Sequence, residues 1–186
     1  RDTDRSRGLG DVYKRQVIAI SEYAIASGDK TYAEKALALF KRIQRFLSTP
    51  GFLEPKYLPA LQARGHSITM ILINTASRVR AAISDPILDT QIDESLAAIR
   101  KYFIHPEFKA LLEMVGKDGE FIDTCNGRVI NPGHCIETSW FILEEARYRD
   151  WDKDLVRTAL QILDWSWEWG WDKEYGGIIN FRDCRN

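Results

Sequence analysis

From Val17 onward, apolar residues recur every three or four positions in long blocks, and each block ends at a short breaker. The first block runs from Val17 to Ser27 and stops at Gly28-Asp29. The second, TYAEKALALFKRIQRFLS, sets Ala33, Ala36, Leu37, Phe40, Ile43 and Leu47 on one stripe and ends before Pro50-Gly51. A loop containing Pro55 and Pro59 follows. A third helix is expected from Ser67 to Ile83, with Ile68, Ile71, Leu72, Ala76, Val79 and Ile83 in register, until Asp85-Pro86 breaks it. A fourth spans Leu88 to Ile104, carrying Leu88, Ile92, Leu96, Ile99 and Phe103 as far as Pro106. The period then changes. LLEMVGKDGEFID predicts two short strands in a hairpin around Asp118-Gly119. A fifth helix is expected from Pro132 to Arg149 and a sixth from Lys153 to Trp169, and WDKEYGGIINF reads as a Gly-Gly turn with extended flanks. Helices joined by short connections, without strand–helix–strand alternation, pair antiparallel. The expected fold class is all-α, a toroid or bundle of helix pairs with short β-hairpins at one end.

Residues 1–16, RDTDRSRGLGDVYKRQ, break this pattern: they are polar and basic, and read as a non-native or disordered segment outside the fold. Residues 17–186 then form a partial domain, expected to be truncated at both ends. Hydrophobic residues at 45% and charged residues at 28% fit a globular chain. A net charge of -1 leaves no bulk basic field for nucleic acid or anionic lipid. No apolar run reaches the roughly 20 residues a membrane helix needs. Three cysteines, Cys125, Cys135 and Cys184, suit free thiols in a cytoplasmic setting better than a disulfide framework.

Candidate chemistry gathers in GRVINPGHCIETSW. Asn131 can cap a helix, Pro132 suits its first position, and His134 then falls in the first turn. The dipole there disfavours an imidazolium and helps keep the ring neutral, able to take a proton. Glu137, three residues on, shares the face and can orient the imidazole or bind a substrate hydroxyl. Arg128 can bring a fixed positive charge toward the same mouth. Base, carboxylate and cation together suit removal of a proton α to a carbonyl. The bland alternative is a polar cap. His134 and Cys135, adjacent on a helix, diverge, and no paired-ligand spacing exists, so no metal site is expected. His66 is expected as a solvated residue at a helix start and His105 as a helix-end residue, both structural. Four of the six tryptophans alternate in DWSWEWGWD; Trp165 and Trp167 lie about 200° apart, so the set cannot all face one core. Some line a surface or a cleft, where aromatic faces suit sugar rings; packing between helix pairs is the alternative.

Three stretches carry a resemblance. GRVINPGHCIETSWFILEEARY resembles the signature segment of the N-acylglucosamine 2-epimerase family, WDKEYGGIINFRD its second block and, more loosely, HSITMILINTASRVR its preceding inner helix. The resemblance implies that residues 17–186 are part of an (α/α)6 barrel around a sugar-binding cleft. It implies interconversion of N-acyl-D-glucosamine and N-acyl-D-mannosamine, with no cofactor, by proton abstraction and return at C2 through an enediolate-like intermediate. His134 matches one of two catalytic histidines, Glu137 the acidic residue beside it, and Arg128 the arginine that holds substrate. Asn131, Met70, Trp140, Trp171 and Tyr175 are the remaining candidates for substrate contact. The family's second catalytic histidine would fall past Asn186, and neither His66 nor His105 matches it, so the chain alone is expected to be inactive. The implied partner is a small sugar, with no nucleic acid and no membrane, and homodimers occur in the family. Ile71 follows Met70 where a related aldose–ketose isomerase branch carries histidine, and GRVINP favours the N-acylhexosamine branch over cellobiose 2-epimerases. A glycoside hydrolase of the same fold would need a second acid partnering Glu137. A non-catalytic sugar- or protein-binding helical module would use Glu137 and Arg128 as a salt-bridged cap.

Overall fold

Gly28 takes a positive φ of 69° and Asp29 follows as a helix cap, its side chain accepting from the backbone N–H of Thr31 at 2.9 Å. This two-residue turn joins the first two helices of a computed structural model that describes residues 3–49 and 63–185, with side chains from Lys14 on. The proline loop expected around Pro55 and Pro59 lies outside the described residues. Helix α1 (Thr3–Ser27) packs on α2 (Lys30–Ser48). It begins at Thr3 rather than Val17, so the segment read as disordered is helical from Thr3.

Two compact units divide the chain: residues 1–61 with 71–94, and residues 62–70 with 95–186. In the first, Ala33, Ala36, Phe40 and Ile43 of α2 are buried as the stripe predicts, with Leu37 and Leu47 half-buried at its edge. Helix α3 (His66–Ala82) buries Leu72, Ile73, Ala76 and Val79, whereas the expected Ile68 is exposed. The stripe read from sequence holds at Leu72, Ala76 and Val79, with Ile71 and Ile83 half-buried at its edge. In the block Leu88 to Phe103 every expected core residue is buried. The α-helix there, α4 (Pro86–Ala98), passes into a π-helical turn, Ile99–Phe103.

The second unit holds the hairpins and the last helix pair. Strand β1 (Ala63–Gly65) pairs antiparallel with β4 (Met114–Gly116), β2 (Ile104–His105) with β3 (Ala110–Leu111), and β5 (Val129–Ile130) with β6 (Arg182–Asp183). The hairpin expected around Asp118-Gly119 is corrected. Gly119 does turn the chain at φ 94°, and Gly116 N–H donates to Glu120 O at 2.8 Å. The returning residues form no strand, and β4 pairs with β1, far back in the sequence.

Helices α5 (Pro132–Tyr148) and α6 (Lys153–Gly170) pack along each other, and Ser139 Oγ of α5 donates to Ala159 O of α6 at 2.7 Å. The end of α6 meets the start of α5. A Cβ on Gly170 would lie 2.4 Å from Pro132 Cβ, so only glycine lets the two ends close. Trp171 then bridges to Ile178 across the expected Gly176-Gly177 turn, both glycines at positive φ. No helix among the described residues is long and apolar enough to cross a membrane.

Candidate active site

The first turn of α5 forms as its residues dictate. Asn131, buried, adopts an extended backbone and its Oδ1 accepts from His134 N–H at 3.1 Å. His134 is thereby held in the first turn with its side chain 38% exposed. Its Nδ1 lies 2.8 Å from Glu113 Oε1. With Nδ1–H donating to the carboxylate, Nε2 carries the ring's lone pair. A carboxylate-oriented imidazole of this kind can take and return a proton.

Glu113 is the charged residue inside an otherwise apolar buried run, Ala110 to Gly116, between β3 and β4. Burial acts to raise its carboxyl, but the imidazoles of His134 and His66 outweigh that and hold it at about 2. It is an anion throughout the neutral range. His66 opens α3 and is fully buried rather than solvated, its ring edge-on to Phe103 with centroids 5.5 Å apart. Its Nδ1 stands 3.6 Å from Glu113 Oε1 and its Nε2 3.0 Å from Thr138 Oγ1. Thr138 lies one turn beyond His134 and also reaches Met70 Sδ, at 3.3 Å. The structure thus brings together His134, Glu113, His66, Thr138 and Met70, from α5, the β3–β4 connection and the first two turns of α3.

The other expected site residues fall as follows. Glu137 has no hydrogen bond or ion pair among the described residues, and the role of orienting His134 belongs to Glu113. Arg128 is engaged by Asp183 (Nε to Oδ2, 2.8 Å) and Asp123 (NH1 to Oδ1, 3.1 Å). Those two carboxylates, Asp183 first, push its guanidinium further above its ordinary range. Trp140, six positions along α5 from His134, points about 120° away around the helix and is exposed beside Phe141. Trp171 stacks on Trp167, centroids 5.1 Å apart and planes 11° from parallel. With Trp169, Asp172 and Arg182 it lines an open groove of about 410 Å³, whose lining does not include His134. Tyr175 is 83% exposed. Trp169 is half-buried, its Nε1–H shared by the carbonyls of Phe108 and Lys109. Of the alternating tryptophans, Trp165 and Trp169 are half-buried and Trp167 and Trp171 exposed, so none lies in the core.

Cys135 is turned from His134 toward Leu111 O at 3.4 Å, and burial, followed by the charge of Glu113, pushes its thiol well up. His105 is buried in β2, with Nδ1 2.9 Å from Glu107 Oε1, a structural role. Glu113, His66 and Thr138 were missed in the sequence. A lone acid in an apolar run, and a threonine four residues after the candidate base, were the available signals.

Paired helices with small hairpins define the class: this is part of an (α/α)6 barrel. Solved structures confirm that fold. A sugar epimerase from a ruminal bacterium superimposes with a TM-score of 0.73 at 18% identity, over 94% of this chain and 48% of that one. Cellobiose 2-epimerase from Bacillus thermoamylovorans gives 0.75 at 12% identity, with 94% and 48% covered. In sequence, residues 17–186 match the family described as N-acylglucosamine 2-epimerase (GlcNAc 2-epimerase), and the chain belongs to that family. The N-acylglucosamine 2-epimerase of Bos taurus is 28% identical over 170 residues, covering 90% of this chain. The chain spans about 40% of the length of that relative.

Proposed function

We propose that this chain forms part of a sugar 2-epimerase that interconverts N-acyl-D-glucosamine and N-acyl-D-mannosamine. The observation that carries the reading is the Glu113–His134 pair at the start of α5, in a chain of this family. In the proposed reaction the sugar opens to its aldehyde and His134 Nε2 takes the proton from C2. The C2–H electrons move into the C1–C2 bond, the carbonyl oxygen becomes an enolate oxygen, and a proton returns to C2 from the other face. Glu113 keeps Nδ1 protonated and offsets the charge that builds on the imidazole. Glu137 is free to accept from a sugar hydroxyl. Arg128 holds the β5–β6 edge through Asp183 and Asp123, and Trp171 and Tyr175 offer aromatic faces beside it.

The test uses the protein at the full length of its relatives, incubated with N-acetylmannosamine in deuterium oxide. Exchange of the C2 hydrogen, read by NMR, is expected. His134→Asn retains a donor where Nδ1 sits but has no Nε2, so it should abolish exchange while leaving the far-UV circular dichroism spectrum intact. Exchange on cellobiose but not on N-acetylmannosamine would move the substrate to the disaccharide branch. No exchange on either sugar would defeat the reading.

A further inference from the structure

We infer that His66 is a positioning residue for His134, acting on it from two sides through Glu113 and Thr138. The inference rests on the assignment of His134 as the acid/base. His66 is fully buried, yet both its ring nitrogens face groups that hold His134. On one side, Nδ1 is 3.6 Å from the same Glu113 oxygen that binds His134 Nδ1 at 2.8 Å. That separation is too long for a hydrogen bond, and Nδ1 has no hydrogen-bond partner among the described residues. It is a buried polar atom directed at the carboxylate. On the other side, Thr138 Oγ1 donates its one proton to the backbone carbonyl of His134 at 2.7 Å. Its oxygen then accepts from His66 Nε2–H at 3.0 Å. The backbone adds a third link, since His66 N–H donates to Glu113 O at 3.0 Å.

The contacts close a ring: His66 to Glu113, Glu113 to the His134 ring, the His134 carbonyl to Thr138, and Thr138 back to His66. A residue needed only to fill this core position beside Phe103 could be apolar, and would cost less to bury. The ring of contacts instead fixes where the carboxylate sits, and so which nitrogen of His134 carries the proton. His66 touches neither solvent nor any space open to a sugar; its effect passes through its two neighbours.

Two substitutions separate the sides. Glutamine places an amide nitrogen near the position of Nε2, so His66→Gln keeps the Thr138 link and drops the one toward Glu113. Asparagine places it near Nδ1, so His66→Asn keeps the Glu113 side. In the chain described here, nitrogen-resolved NMR of the imidazoles should show His134 as a single tautomer with Nδ1 protonated. His66→Gln should turn it into a mixture, and His66→Asn, which loses only the Thr138 side, into a lesser one. Thr138→Val, which leaves His66 in place and conserves volume, should shift the same signals in the same direction as His66→Gln, and carries the test if the His66 variants do not fold. In the full-length enzyme, His66→Gln should lower kcat for C2 exchange roughly 10-fold or more with KM little changed. An unchanged His134 tautomer in the folded variants would overturn the inference and leave His66 a core residue. Loss of the single tautomer in a parent protein that exchanges no C2 hydrogen would sink the epimerase reading instead, and leave the positioning of His134 by His66 standing.

Discussion

Glu113 shows how one residue can tie stability to chemistry. Its carboxyl is held at about 2, below its ordinary 4.5, so the interactions that hold it favour the folded state. The sign follows from that depression: the stabilisation is fully present above about 4.5 and is lost as pH falls toward 2. Glu113→Gln should therefore flatten the acid limb of stability between those values, read by circular dichroism against pH. At neutral pH it should cost on the order of a few kcal/mol. The same substitution should slow C2 exchange by about 100-fold in the full-length enzyme, because the imidazole loses the charge that orients it. A variant that lost activity but kept the acid limb would separate the two roles and count against the shared origin argued for them.

Among the elements, the start of α5 governs the site. Asn131 caps the helix and sets the backbone of His134, so Asn131→Ala should remove about 1 kcal/mol and lower Tm by roughly 2–4 °C. The hydrogen bond to Glu113 would persist, so kcat should fall less than in Glu113→Gln. Gly170 acts on the same helix end from the far side of the pair. Gly170→Ala would drive a methyl against Pro132, and the two helix ends must separate by a cost of about 1–3 kcal/mol. Hydrogen exchange should then report faster opening at residues 131–135. The β1–β4 pairing belongs to the same scale, because it delivers Glu113 and His66 to one place from distant parts of the chain.

For the whole molecule, the relevant fact is that the chain spans about 40% of a curated relative. In the proposed reaction the cluster around His134 supplies one proton-transfer group for one face of a sugar, and inversion at C2 requires delivery from the other face as well. The chain described here should give no net epimerisation, measured by chromatographic separation of the two hexosamines. The protein at the full length of its relatives should reach an equilibrium mixture from either side. Turnover by the chain alone would show that both groups lie within these residues.

Much of the element layout was legible from periodicity, since a stripe repeating every three or four residues buries itself wherever a partner helix exists. The helices Lys30–Ser48, Pro132–Tyr148 and Lys153–Gly170 begin and end within a residue or two of the breakers that bound them. The cap of α5 was legible too, because Asn131, Pro132 and His134 act on one another locally. What the sequence could not show was the pairing of β4 with β1, since strand registry joins positions about fifty residues apart and carries no local signature. The π-helical turn after Ala98 and the inward turn of His66 were hidden for the same reason. Glu137 looked like the partner of His134 because helical spacing was the only geometry a linear reading offers. The sequence alone determined the helices and the candidate base; only the folded chain decided which carboxylate meets that imidazole, because the contact spans 21 residues and joins α5 to the β3–β4 connection.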